Sequence, residues 1–150
     1  MIIIGSDHGG FELKQAVTAY FDREGIEYFD YGVHENVSVD YPDIAFPIAE
    51  KVAAGEYERG MIFCGTGIGV SICANKVDGV RAALCTDHFT AEYCRLHNDA
   101  NILCIGGRVT GVGTALDIVK TFLSTEFEGC FQHNTTLDQN RCRNTLLQGC

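Results

Sequence analysis

Five short apolar runs, each followed by a stretch whose apolar residues recur every three or four positions, constrain this chain more than any other feature. Met1–Gly5 reads as a continuous apolar strand. Phe11, Leu13, Ala16, Val17, Tyr20 and Phe21 then keep helical spacing up to Gly25, a good helix stop. Ile26–Tyr31 is a second, less apolar strand, and Pro42–Ala54 carries Ile44, Ile48 and Val52 four apart. Pro47 lies inside that stripe; its nitrogen has no hydrogen to give to residue 43, so the sequence predicts a helix that starts late or kinks. Met61–Cys64 is the third strand, followed by a glycine loop and a helix to about Lys76. Val80–Leu84, Phe89–Leu96, Ile102–Ile105 and Gly111–Leu123 continue the alternation as strand, helix, strand and helix.

Strand and helix alternating in this way argue for an α/β fold, a parallel sheet with helices on both faces. Ligands of such sheets bind outside the carboxyl ends of the strands, so the loops after the strands are where chemistry is expected. The 150 residues divide into an α/β unit over 1–124 and a more polar tail over 125–150. A last helix is expected near Thr136–Leu147, packed on the same unit or on a partner copy.

Apolar residues make up 46% of the chain and charged residues 21%, ordinary values for a globular protein. The net charge of -9 repels nucleic acid and anionic membranes, and a phosphorylated ligand would need concentrated local positive charge. The apolar start has no basic residue and is cut short by Gly5-Ser6-Asp7-His8, so no signal peptide is expected. No apolar run approaches the ~20 residues that span a bilayer, and a cytoplasmic location is expected.

The loop after the third strand is Cys64-Gly65-Thr66-Gly67-Ile68-Gly69-Val70-Ser71. Three alternating glycines at a helix start expose backbone N–H groups, which stabilise negative charge. A cysteine beside them is favoured as a thiolate. The same amides could hold an enediolate oxygen. The glycines run G-x-G-x-G after the third strand, not G-x-G-x-x-G after the first, which argues against a dinucleotide site. A cysteine phosphatase would place an arginine six residues after its nucleophile, and Val70 stands there. The other seven cysteines, at 73, 85, 94, 104, 130, 142 and 150, form no CxxC pair and read as small buried hydrophobes.

After the first strand, Asp7 and His8 sit between glycines. Asp7 reads either as a ligand contact or as a cap on the first helix. His97 and Asn98 lie between the fourth helix and the fifth strand; His97 is a candidate acid or base near neutral pH, or a helix C-terminal cap. Arg108, after Gly106-Gly107, is a candidate anion contact.

Together these loops resemble the ribose-5-phosphate isomerase B family, which also includes allose- and galactose-6-phosphate isomerases. The resemblance runs from Ile4 to about Gly129. It is carried by Gly5-Ser6-Asp7-His8-Gly9-Gly10, Asp40-Tyr41-Pro42, Cys64-Gly65-Thr66-Gly67-Ile68-Gly69, Ala74-Asn75-Lys76, Arg81-Ala82, His97-Asn98-Asp99-Ala100-Asn101 and Gly107-Arg108. It implies a Rossmann-like three-layer α/β/α sandwich with a five-stranded parallel sheet. It also implies a homodimer, often paired into a tetramer, with the site built across the dimer interface, and neither cofactor nor metal. By the resemblance, Cys64 is the proton acceptor, His97 opens the sugar ring, and Thr66 helps move protons between oxygens. Asp7, His8, Gly65, Thr66, Gly67, Ile68, Gly69, Asn98 and Arg108 match substrate-binding positions. The implied reaction interconverts ribose 5-phosphate and ribulose 5-phosphate. A six-carbon 6-phosphate sugar, or a non-catalytic sugar-phosphate-binding subunit, are the alternatives. The chain departs from the family's tail, G-R-H-x-x-x-R after Glu-Gly, where Phe131 and Thr135 stand at the arginine positions. Arg141, Arg143 and His133 are the candidate replacements.

Overall fold

A computed structural model describes residues 1–129. Five parallel strands form one sheet in the order β2-β1-β3-β5-β4. Their ranges are β1 Ile2–Ser6, β2 Tyr28–Asp30, β3 Arg59–Cys64, β4 Ala82–Leu84 and β5 Ile102–Gly106. The intervening helices are α1 Phe11–Glu24, α2 Tyr41–Ala53, α3 Ile68–Ala74, α4 His88–Leu96 and α5 Val112–Ser124. The α/β sandwich expected from the alternation is what forms.

Side chains on successive strand residues point to opposite faces, and both faces are buried. Ile3, Ile62, Ile102 and Cys104 pack against α2 and α3. Ile4, Met61, Phe63, Leu103 and Ile105 pack against α1, α4 and α5. The connection from β1 runs outward to β2 through α1, while that from β3 runs the other way to β4 through α3. The direction of winding therefore reverses between β1 and β3. The crevice outside their carboxyl ends is the place where doubly wound sheets bind ligands.

Two buried cations tie the layers together. Lys14 on α1 is fully buried, and its Nζ donates to both carboxylate oxygens of Asp30, at 2.7 and 2.8 Å, and to the Val33 carbonyl at 2.7 Å. Arg59 at the start of β3 donates to the carbonyls of Phe122 and Leu123, satisfying orphan acceptors at the end of α5.

Pro47 does not delay α2, which begins at Tyr41 and runs through it. The missing N–H removes one bond of a 13-residue helix, while Ala45, Ile48, Ala49 and Val52 bury its inner face. Gly25 ends α1 in the left-handed conformation, at φ 68°, as its position in the sequence suggested. The expected helix near Thr136–Leu147 lies outside the described residues. Among the described residues no helix is long and apolar enough to cross a membrane.

Candidate active site

The loops after β1, β3 and β5 are knitted together by backbone bonds that continue the sheet. Asp7 N–H donates to the Phe63 carbonyl at 3.1 Å, Gly107 N–H to Cys64 at 2.8 Å, and Arg108 N–H to Gly65 at 3.0 Å. The loops approach so closely that a Cβ on Gly106 would stand 2.6 Å from the Thr66 carbonyl. Glycine is required there by space.

Cys64 ends β3 and is buried. Gly67, at φ 78°, turns the chain so that its N–H donates to the Cys64 Sγ at 3.0 Å. Thr66 is exposed at the loop's tip, and its Oγ1 accepts from Ile68 N–H at 3.3 Å. Burial, helped by the neighbouring Cys64, pushes the Cys104 thiol up, and burial also raises Cys73. Cys85 donates to the Cys94 sulfur at 3.8 Å, which raises Cys85 and lowers Cys94.

Asp7 does not act as the N-cap of α1, which is Gly10. Its Oδ1 instead accepts from Gly9 N–H at 2.7 Å and Gly10 N–H at 3.1 Å, shaping the loop that presents His8. His8 is exposed and lines a cavity of about 210 Å³ with Glu12, Asn36, Gly107 and Arg108 among its walls. The Arg108 stem lies 3.6 Å from where a Cβ on Gly65 would stand. Two potential cations therefore flank the Cys64 loop, in a chain of overall negative charge.

Asp7, His8, Cys64, Gly65, Thr66, Gly67, Ile68, Gly69 and Arg108 thus fall at one edge of the sheet. His97 and Asn98 do not. They precede β5, at the amino end of the sheet, whereas Cys64 pairs with Gly106 at the carboxyl end. The four steps of ~3.3 Å between Ile102 and Gly106 put about 13 Å of β5 between the two ends. Helix α4 begins at the carboxyl edge and delivers its C-cap, His97, to the opposite one.

Residues not singled out in the sequence also reach the site. The ring of Tyr41 lies 2.9 Å from where a Cβ on Gly69 would stand, so it packs against the start of α3. Its signal was the Asp40-Tyr41-Pro42 segment, which carried the resemblance without a role for the ring. Asn36 and Glu12 gave no signal, because a single polar residue in a polar loop or on a helix has no pattern. Among the described residues no group of three His, Cys, Asp or Glu side chains is placed to share a metal ion.

A doubly wound sheet with a buried cysteine in a glycine loop at its switch point, flanked by a histidine and an arginine, defines a class: an α/β enzyme acting on a small anionic ligand. The chain belongs to the ribose/galactose isomerase family, whose model matches residues 2–139. It is 42% identical over 128 residues to the ribose-5-phosphate isomerase B of Escherichia coli, covering 85% of this chain and 86% of that one. It is 40% identical over 129 residues to the D-erythrulose-4-phosphate isomerase of Pectobacterium atrosepticum, covering 85% of each. Among solved structures, the ribose-5-phosphate isomerase B of Clostridium thermocellum superposes with a TM-score of 0.94 at 49% identity, over 97% of this chain and 98% of that one.

Proposed function

We propose that this isomerase interconverts ribose 5-phosphate and ribulose 5-phosphate, with Cys64 as the base. The observation that carries the reading is the Cys64 sulfur held under the Gly67 amide, in a loop that opens on the switch-point crevice. Opening the furanose breaks the C1–O4 bond; a proton goes to the ring oxygen and one leaves the anomeric hydroxyl. The thiolate then takes the proton from C2, and the electron pair left behind makes an enediolate across C1 and C2. The thiol returns the proton to C1. The proton of the C2 hydroxyl passes to the C1 oxygen, with Thr66 assisting the transfer. Substrate and product are isomers, so the step needs no oxidant. Backbone N–H groups of the Gly65 to Gly69 loop stabilise the enediolate charge, as preorganised donors do in a water-poor site. Arg108 supplies a cation for the phosphate, and His8 a ring N–H beside it. The two tail positions filled by Phe131 and Thr135, and the candidate replacements Arg141 and Arg143, lie outside the described residues.

The same proposal includes a homodimer. His97 and Cys64 of one chain are separated by the length of a strand, too far to act on one five-carbon sugar. A second copy supplies His97 and Asn98 to the Cys64 of the first. Exposed Tyr41, Ile68 and Ile72 around the Cys64 loop are apolar surface that such a copy would cover.

Cys64→Ala and His97→Asn chains, each prepared alone, test the chemistry and the assembly together. Each is expected to have lost nearly all turnover of ribose 5-phosphate. Mixed by unfolding and refolding, they are expected to regain about one quarter of wild-type activity, since half the dimers are mixed and each has one intact site. Near-normal turnover by Cys64→Ala alone removes Cys64 as the base. No recovery on mixing removes the shared site. Parallel assays on four- and six-carbon sugar phosphates rank the substrates.

A further inference from the structure

Asp99 is the one described residue other than glycine with a positive φ, at 47°. Its N–H donates to the Arg95 carbonyl at 3.1 Å, and Ala100 N–H reaches the Cys94 carbonyl at 2.9 Å. This is the left-handed cap that closes a helix, at a position glycine or asparagine usually fills. Glycine would adopt the turn with no side-chain penalty, so the carboxylate at this position needs its own account.

The carboxylate bridges two arginines from different elements. Oδ1 accepts from Arg95 at 2.9 Å, on α4, and Oδ2 accepts from Arg81 at 2.8 Å, just before β4. Arg81 also donates through Nε to the carbonyls of Asn98 at 3.0 Å and Asp99 at 2.8 Å. Arg95, itself buried, donates to the Ala100 carbonyl at 2.6 Å and to the Thr125 carbonyl at 3.3 Å. Every backbone carbonyl from Asn98 to Ala100 is therefore gripped by a guanidinium, and Asp99 holds the two guanidiniums in place. The two residues immediately before Asp99 are His97 and Asn98.

We infer that Asp99 is a positioning residue. It fixes the turn that presents His97 and Asn98 to the sugar phosphate, and Arg81 and Arg95 are the fixed points it is tied to. The inference rests on the ring-opening role proposed for His97. Without the carboxylate, the two guanidiniums repel and the turn relaxes. His97 then samples orientations in which it no longer reaches the ring oxygen. Positional errors of about 1 Å at a reacting group cost on the order of 10²-fold in rate.

The test compares two substrates. Ribose 5-phosphate is cyclic. D-Erythrose 4-phosphate carries its phosphate on the only hydroxyl that could close a furanose, so it needs no ring opening. His97→Asn, Asp99→Gly and the double variant are assayed on both, with thermal melts. The expected result is that Asp99→Gly loses at least tenfold in kcat on ribose 5-phosphate and little on the four-carbon sugar, as His97→Asn does. The double variant is expected to be no worse than His97→Asn alone, because both changes remove one action. Asp99→Asn, which keeps the turn and one acceptor, is expected to recover part of the loss. Equal losses on both substrates, or losses that multiply in the double variant, overturn the positioning role. His97→Asn impaired with Asp99→Gly unaffected overturns this inference alone. His97→Asn unaffected overturns the ring-opening reading and the inference with it.

Discussion

Gly67 gives a sharp test of how the Cys64 loop works. Its φ of 78° lies where an L side chain is strained, and a Cβ would stand 3.0 Å from the Ile105 carbonyl carbon and 3.1 Å from the Gly106 nitrogen. It would also stand 2.4 Å from Leu84 Cδ1, which can rotate away, whereas the backbone of β5 cannot. Left-handed strain costs about 1–2 kcal/mol. Overpacking against backbone adds about 1–3 kcal/mol. Gly67→Ala therefore loses about 3 kcal/mol, or roughly 6–12 °C in Tm for a chain of this size. The displaced amide is also the donor to the Cys64 sulfur, so turnover falls on the order of 10²-fold, the scale for loss of one preorganised donor. Gly113, near the start of α5, is the control: a Cβ there meets nothing within 4 Å. Gly113→Ala gains about 0.5–1 kcal/mol from lower unfolded-chain entropy and better helix propensity. Calorimetric melts and isomerisation rates of both variants decide the matter. A Gly67→Ala protein that melts and turns over like wild type refutes the account of this loop.

Lys14→Met keeps the buried stem's volume and removes the ammonium from Asp30. We expect a loss of about 3 kcal/mol, the scale for leaving one member of a buried pair behind, read by urea titration. Its failure to destabilise would show that the Asp30 carboxylate finds compensation from Gly32 N–H and water. Asp87 caps α4, accepting from Thr90 N–H at 2.8 Å, and that bond holds its carboxyl below the usual value of 3.8. A depressed carboxyl stabilises the fold above its unfolded value and loses that contribution as pH falls through its folded one. Asp87→Ala is therefore expected to melt below wild type at neutral pH, with the gap closing below about pH 4; a gap that does not change with pH contradicts the linkage.

The order of strands and helices was legible because each βα unit carries its own period, and a parallel sheet follows from that alternation. The Cys64 loop was legible too, since glycines at alternate positions beside a cysteine form a compact pattern. Lys14 was not: a lysine on an amphipathic helix reads as surface, and only the loop after β2 folding back over α1 makes it a buried partner of Asp30. Pro47 misled as to where α2 begins, because the loss of one hydrogen bond is visible locally and the packing that outweighs it is not.

The sequence by itself determined the elements, the sheet's parallel character and the residue types of the candidate site, because these depend on periodicity and on motifs a few residues long. The tertiary structure decided which of those residues meet. Strand order set the reversal between β1 and β3 that gathers Asp7, His8, Cys64 and Arg108 at one edge. Helix α4 carried His97 and Asn98 to the other edge. Asp99, between two arginines 14 positions apart, became a bridge only when β4 and β5 paired. Contacts between residues distant in sequence depend on the path of the whole chain, and no local pattern encodes that path.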